Sequence, residues 1–278
     1  MTRSAGCAIL WAVDASVDQR FGGIARLYGR AALDRFLAAR VAVVGIGGVG
    51  SWAVESLARS GIGSLTLVDL DEICITNVNR QLHAMDGSIG AQKTEAMASR
   101  VRAIHPSADV TVVPRFFNPA SADEILSPRF DAVIDAIDTT AHKALLLAKC
   151  HAMRISVVTC GGAGGRRDPS RIRTTDLAYS GKDPLLQQVR RELRRSHGFP
   201  KTPPGETPAA FGIKAVFSDE PPVFVQYDGS VGHGRPESTR QRLHCEHGLG
   251  TVAHVTATFG LIAAARVLEQ LADQTVVP

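Results

Sequence analysis

Short runs of branched apolar residues alternate along the chain with stretches whose apolar positions have helical spacing. Residues 39–47 (ARVAVVGIG) form one such run, closed by glycines, and predict a strand buried on both faces. Residues 51–60 have helical spacing and stop at Gly61, a C-terminal signal. Residues 64–71 predict a second strand and residues 93–105 a helix ended by Pro106. Residues 109–114 and 130–138 predict strands, 141–153 a helix, and 155–162 a fifth strand. This alternation specifies an α/β, doubly wound, mostly parallel, Rossmann-like sheet.

Beyond about residue 165 the rhythm changes. The pieces RIRTTDL, AVFSDE and PVFVQ are separated by a basic helix and the loop GFPKTPPGETP. They predict antiparallel strands added to the same domain in the C-terminal half. Residues 1–19 read as an N-terminal extension and 20–278 as one domain, with a nucleotide-binding half over about 20–165 and a substrate-facing half over about 166–278. Residues 248–272 are apolar enough, and about long enough, to span a bilayer. His254 and three threonines favour a core or dimer-interface helix packed on the sheet, with peripheral membrane association left open.

Composition narrows the setting. The five cysteines (Cys7, Cys74, Cys150, Cys160, Cys245) are far apart and form no C-x-x-C pair. They predict free thiols in a reducing, cytoplasmic compartment, not a disulfide partnership or a structural zinc knuckle. Cys245, between His244 and His247, is the one cysteine in a polar context. A partly buried thiol beside two loop histidines is favoured over a metal site or a reactive thiolate there.

Chemistry concentrates at the first strand–helix junction. Gly45, Gly47 and Gly50 fit G-x-G-x-x-G, with Gly48 as an extra glycine. Such a loop turns sharply, brings backbone amides to phosphate and opens a helix whose N-terminus favours anions. Asp69 follows 19 residues after Gly50, at the next strand's end, where a carboxylate can accept ribose hydroxyls. The loop alone fits NAD or ATP.

Downstream residues separate the two. Asn77, Arg80 and Gln81 lie just past the second strand, Lys93 opens the next helix, and Asp138 ends the fourth strand. In a parallel sheet all these strand ends face one crevice. Two cations and a spare carboxylate suit a triphosphate with carboxylate-held magnesium better than a pyrophosphate bridge. Taken singly, Arg80 and Lys93 also read as solvated charges, and Asp138 as a helix cap.

The motifs VVGIGGVGS, VDLDEICITNVNRQ, GAQK and DAIDTT together resemble the ubiquitin-activating-type adenylating superfamily that includes the ThiF and MoeB proteins. RFGGIARLYG, GGAGG and VTATFG make the chain similar to its tRNA threonylcarbamoyladenosine dehydratase branch, from about Arg20 to the C-terminus. The resemblance implies that Gly45, Gly47, Gly48 and Gly50 hold ATP phosphates and that Asp69, with Asp71 nearby, takes the ribose. It places Asn77, Arg80, Gln81 and Lys93 around the nucleotide, and gives magnesium to Asp138. It implies a catalytic set of Arg20, Arg80, Lys93 and Asp138, with Arg26 as the alternative to Arg20. In relatives such an arginine often comes from the partner subunit, which implies a homodimer. Here Gly23 stands where sulfur-carrier activators have a second arginine.

The reaction implied is ATP-dependent cyclising dehydration of threonylcarbamoyladenosine in tRNA, through an acyl-adenylate, with release of pyrophosphate and AMP. Adenylation of a sulfur-carrier protein is the alternative, although the two C-x-x-C pairs common in those activators are missing. An NAD-dependent oxidoreductase is the remote one. A potassium or sodium ion near the GGAGG loop and a sulfur-relay protein partner stay open. Charge placement adds to the RNA reading. Residues 166–201 hold ten basic and four acidic side chains, a local excess of +6 in a chain of +4. On a helix, Arg190, Arg191, Arg194 and Arg195 would share an arc of about 140°, a stripe suited to RNA phosphates or, equally, an ordinary solvated face.

Overall fold

Valine-, leucine- and isoleucine-rich pentads build the sheet. The computed structural model describes residues 15–203, 205–234 and 249–273. Strands β1 (Arg40–Val44), β2 (Ser64–Val68), β3 (Asp109–Val113), β4 (Ala132–Asp135) and β5 (Ser156–Cys160) run parallel in the order β3-β2-β1-β4-β5. In the C-terminal half, β6 (Ile172–Asp176) is antiparallel, as expected, and forms the far edge. β7 (Lys214–Ser218) is antiparallel to β6 but, unlike the expectation, parallel to β5: β6 has already run to the strands' starting end, and after α7 (Pro184–Ser196) and its loop the chain re-enters the sheet there. The PVFVQ piece leaves the main sheet, and β8 (Phe224–Val225) pairs antiparallel with β9 (Val231–Gly232) in a separate hairpin.

Two helical layers cover the sheet, which is why its strands are apolar on both faces. Val41 and Val43 of β1 pack with α2 (Arg30–Ala38), α3 (Gly50–Arg59), α4 (Lys93–Ile104) and α8 (Ala253–Ala272). Ala42 and Val44 pack with α5 (Ala122–Ile125), α6 (Thr140–Ala152) and α7. Each fully buried Val or Leu contributes roughly 1.5–3 kcal/mol over an exposed one, so the two layers hold strands too short to stand alone.

α8 is a core helix: Val255, Phe259, Ala263 and Val267 are fully buried, and it packs on α3 and across β4, β5 and β7. Helix α1 (Ala15–Tyr28) begins inside the stretch read as an extension. Gly22 and Gly23 in its middle hide its helical spacing. α1 packs Val17 and Phe21 against Leu33 of α2, and Phe21 meets His105 edge-on at 4.7 Å. His105 follows the end of α4, so α1 lies at the sheet end opposite the strand C-termini. The strand order reverses between β1 and β4, and the crevice at their C-terminal ends is the expected ligand position in such a sheet.

Candidate functional site

The glycine loop is shaped by contacts that only glycine permits. After β1 the chain turns at Gly45 with φ of 92°. A β-carbon on Gly50 would lie 1.8 Å from Gly45 O, so the start of α3 sits directly on the loop. Val49 is the N-cap of α3 and no side chain caps the helix. The positive end of its dipole thus faces the loop and favours anionic oxygens, although Ser51 N–H already donates to Gly47 O at 3.1 Å.

Asp69 shapes this loop as well as facing the crevice. Its Oδ2 accepts Ile46 N–H at 2.7 Å, and its Oδ1 accepts Asp71 N–H at 2.8 Å. A carboxylate has about four acceptor sites, so lone pairs remain for a ribose diol. His83, buried, donates Nε2–H to Ile46 O at 2.8 Å. The Ile46 peptide is therefore gripped at both ends. Burial holds the His83 pKa below the usual imidazole range, with the Ile46 carbonyl pulling the other way. Sequence reasoning missed His83, since a histidine in a polar loop gives no sign of where it points.

The crossover after β2 folds over the glycines. A β-carbon on Gly48 would meet Arg80 Cγ at 3.3 Å, and one on Gly47 would lie 3.8 Å from Gln81 Nε2. Arg80 O accepts from Trp52 Nε1 at 3.2 Å and from Thr256 Oγ1 at 3.3 Å, which ties the crossover to α3 and α8. The Arg80 guanidinium rests on Thr76 O and Asn79 Oδ1. Asn77 is buried and accepts Cys74 N–H through Oδ1, closing a 3₁₀ turn over Ile75–Asn77, so its side chain is engaged in the loop itself. Lys93, at the first position of α4, is buried and donates to Asp71 Oδ2 at 2.7 Å. Gln81 Oε1, Gln92 Oε1 and Thr94 Oγ1 are buried with no partner, an arrangement that a bound polar ligand would satisfy.

Asp138 is exposed at the mouth of the crevice, in the turn between β4 and α6. It is not the cap of α6: Thr139 holds that position, and Thr139 Oγ1 donates to Asp138 Oδ1 at 3.4 Å. A magnesium ion bound through one carboxylate, phosphates and water fits this exposed carboxylate.

Beneath the turn is a pair that the sequence did not announce. Lys143 and Asp135 are fully buried with Nζ 2.9 Å from Oδ2, and Thr159 donates to the same oxygen at 2.7 Å. Burial pushes the Asp135 carboxyl up, against the pull of Lys143 and Thr159. Cys150 and Cys160 are buried nearby, and burial raises both thiols to about 12, so neither is a thiolate. Cys245, His244 and His247 lie outside the described residues.

Two groups of expected residues are arranged otherwise. Arg20 donates to Ile104 O at 3.1 Å, at the carboxyl end of α4. Lys93 opens that helix, about 17 Å away along its axis, so Arg20 does not join the other residues within one chain. Arg26 folds back along α1 towards Gly22 and Gly23. On α7 the basic stripe is split. Arg190 donates to Ser180 Oγ at 2.5 Å, and Arg194 donates to Pro200 O at 3.0 Å and sits 5.1 Å from the Phe211 ring centre. Arg191 and Arg195 face solvent, Arg195 paired with Glu192.

The fold and this crevice define a Rossmann-like protein with a glycine loop, a carboxylate and two cationic side chains gathered at the strand C-termini. The ThiF family model matches residues 23–277, and the chain belongs to that family. A tRNA threonylcarbamoyladenosine dehydratase of Haemophilus influenzae is 45% identical over 266 residues, 96% of this chain and 98% of its own length. The corresponding protein of Escherichia coli is 46% identical over 254 residues, covering 91% and 93% of the two chains. The solved structure of the E. coli dehydratase in complex with ATP is similar with a TM-score of 0.79 at 43% identity, covering 93% of this chain and 95% of that one.

Proposed function

We propose that the chain cyclises threonylcarbamoyladenosine in tRNA at the expense of ATP. The observation that carries this is the crevice at the β1–β4 switch point, in a chain 46% identical to the E. coli dehydratase over nearly its whole length. The carboxylate oxygen of the modification attacks the α-phosphorus of ATP, and pyrophosphate leaves. An internal nucleophile of the same modification then attacks the acyl carbon and expels AMP, which takes the carboxylate oxygen with it. The net change in the nucleoside is loss of water.

This chain's residues bind and orient. The α3 N-terminus and the loop Gly45, Gly47, Gly48, Gly50 cradle phosphate, and Asp69 takes the ribose. Arg80 and Lys93 neutralise charge growing on the phosphates, with Asn77 and Gln81 beside them. Lys93 exchanges its Asp71 partner for phosphate oxygen. Asp138 holds magnesium, which supplies charge neutralisation at the phosphates when bound. Arg20 serves the site of a second copy in a homodimer, and the Gly161–Gly165 loop is the place to look for a monovalent cation. The exposed Arg191 and Arg195 meet tRNA phosphates. The reaction belongs to the cytoplasm, where ATP and tRNA meet.

The test is nucleoside mass analysis of modified tRNA incubated with the protein and ATP. A product lighter by one water, with stoichiometric AMP, is the expected result. A folded, ATP-binding protein that leaves the nucleoside unchanged would overturn the reading. Pyrophosphate exchange that required a small protein ending in Gly-Gly would favour sulfur-carrier adenylation instead.

A further inference from the structure

The turn that carries Asp138 is held from below by a buried cation. Lys143 is fully enclosed, and its ammonium group meets three acceptors: Asp135 Oδ2 at 2.9 Å, Ile137 O at 2.8 Å and Asp135 O at 3.4 Å. An ammonium group has three protons, so it is saturated. Asp135 is equally occupied. Its Oδ2 also accepts from Thr159 Oγ1 at 2.7 Å, and its Oδ1 accepts Ile137 N–H at 3.1 Å. Both backbone polar groups of Ile137 are thus fixed by one ion pair, and Asp138 is the next residue. The turn also lies close against the glycine loop, where a β-carbon at Gly45 would meet Ala136 O at 2.8 Å.

A purely structural role is a poor account of this pair. Desolvating two charges costs as much as their attraction returns, and a neutral pair of similar volume generally serves stability as well. What the charges add here is a defined position for three backbone groups. We infer that Lys143 is a positioning residue: by clamping Asp135 and Ile137 O it fixes the backbone from which the Asp138 carboxylate reaches into the crevice. The inference rests on the role given to Asp138 in the proposed function.

The discriminating variant is the double change Asp135→Asn with Lys143→Met, which removes both charges and the donor to Ile137 O. Its urea midpoint should stay near that of the wild type. Its kcat on modified tRNA should fall about 100-fold with the KM for ATP nearly unchanged, because a small misplacement of a reacting group costs about that much. Hydrogen exchange over residues 134–141 should accelerate while the rest of the sheet stays protected. Lys143→Arg, which keeps a donor for Ile137 O, should recover part of kcat. Should the double variant fail to fold, Thr159→Val removes one bond to Asp135 and should lower kcat several-fold with the same exchange signature.

A folded double variant with wild-type kcat, or with unchanged exchange in the turn, would overturn the inference. Wild-type turnover by Asp138→Ala would sink it too, since there would be no carboxylate to position. A wild-type protein that turns over no tRNA would instead sink the functional reading, and exchange in the turn would still decide whether the clamp exists.

Discussion

At the scale of single residues, the loop depends on side chains that touch backbone, not ligand. Asp69 and His83 hold the N–H and C=O of Ile46, so the backbone that opens the glycine loop cannot rotate freely. His83 Nδ1 and His105 Nδ1 are buried without partners, and burial lowers the pKa of both rings. The unfolded chain, with ordinary imidazoles near pH 6.5, therefore binds more protons than the folded one as pH falls. Their contribution to stability is complete above about pH 6.5 and is lost as pH drops below it towards the depressed folded values. The urea midpoint should fall between about pH 7.5 and 5.5, and His105→Gln should flatten that fall without touching the crevice. A midpoint that rises on acidification, or an identical slope in the variant, would contradict the assignment.

At the scale of elements, α7 illustrates why a charge count is not a surface. Leu186, Val189 and Leu193 define its buried side. At 100° per residue, Arg190 falls about 40° from Leu186, Arg194 about 80°, Arg191 about 140° and Arg195 about 180°. The stripe thus starts at the edge of the core. Arg190 and Arg194 are spent on Ser180, Pro200 and Phe211, and the outer pair remains for a polyanion. Arg191→Glu with Arg195→Glu should weaken binding of modified tRNA and make it less salt-dependent, with ATP affinity unchanged. The log–log slope should drop by about one for each tRNA phosphate that no longer meets an arginine. Binding titrations across a potassium chloride series measure this. An unaltered slope would remove the outer face of α7 from the tRNA interface. Arg190→Glu is a different experiment, since it unseats Ser180 and damages packing.

At the scale of the whole molecule, the sheet and crevice were legible because they depend on local signals. Apolar pentads, glycine spacing and the order of polar residues at strand ends are properties of short windows, and β1, β2 and the loop appeared where those windows put them. The direction of β7, the Asp135–Lys143 pair and the splitting of the α7 stripe were not legible, because each is decided by how the elements pack together. Arg20 is the sharpest case. Its motif implied a place beside ATP, yet α1 packs at the far end of α4. Both facts hold if Arg20 serves the crevice of a second copy, and subunit mixing tests that. Arg20→Ala and Asp138→Ala proteins should each be inactive alone. In a two-fold dimer formed from equal amounts, half the molecules are mixed, and each mixed molecule has one crevice with an intact Asp138 and an intact Arg20 from across the interface. Activity should recover to about a quarter of wild type after dissociation and reassembly. If Arg20 acted on its own chain, neither crevice of the mixed dimer would be complete and the mixture would stay inactive. If Arg20 had no role, the Arg20→Ala protein would already be active alone, so each arrangement leaves a different reading in the same assay.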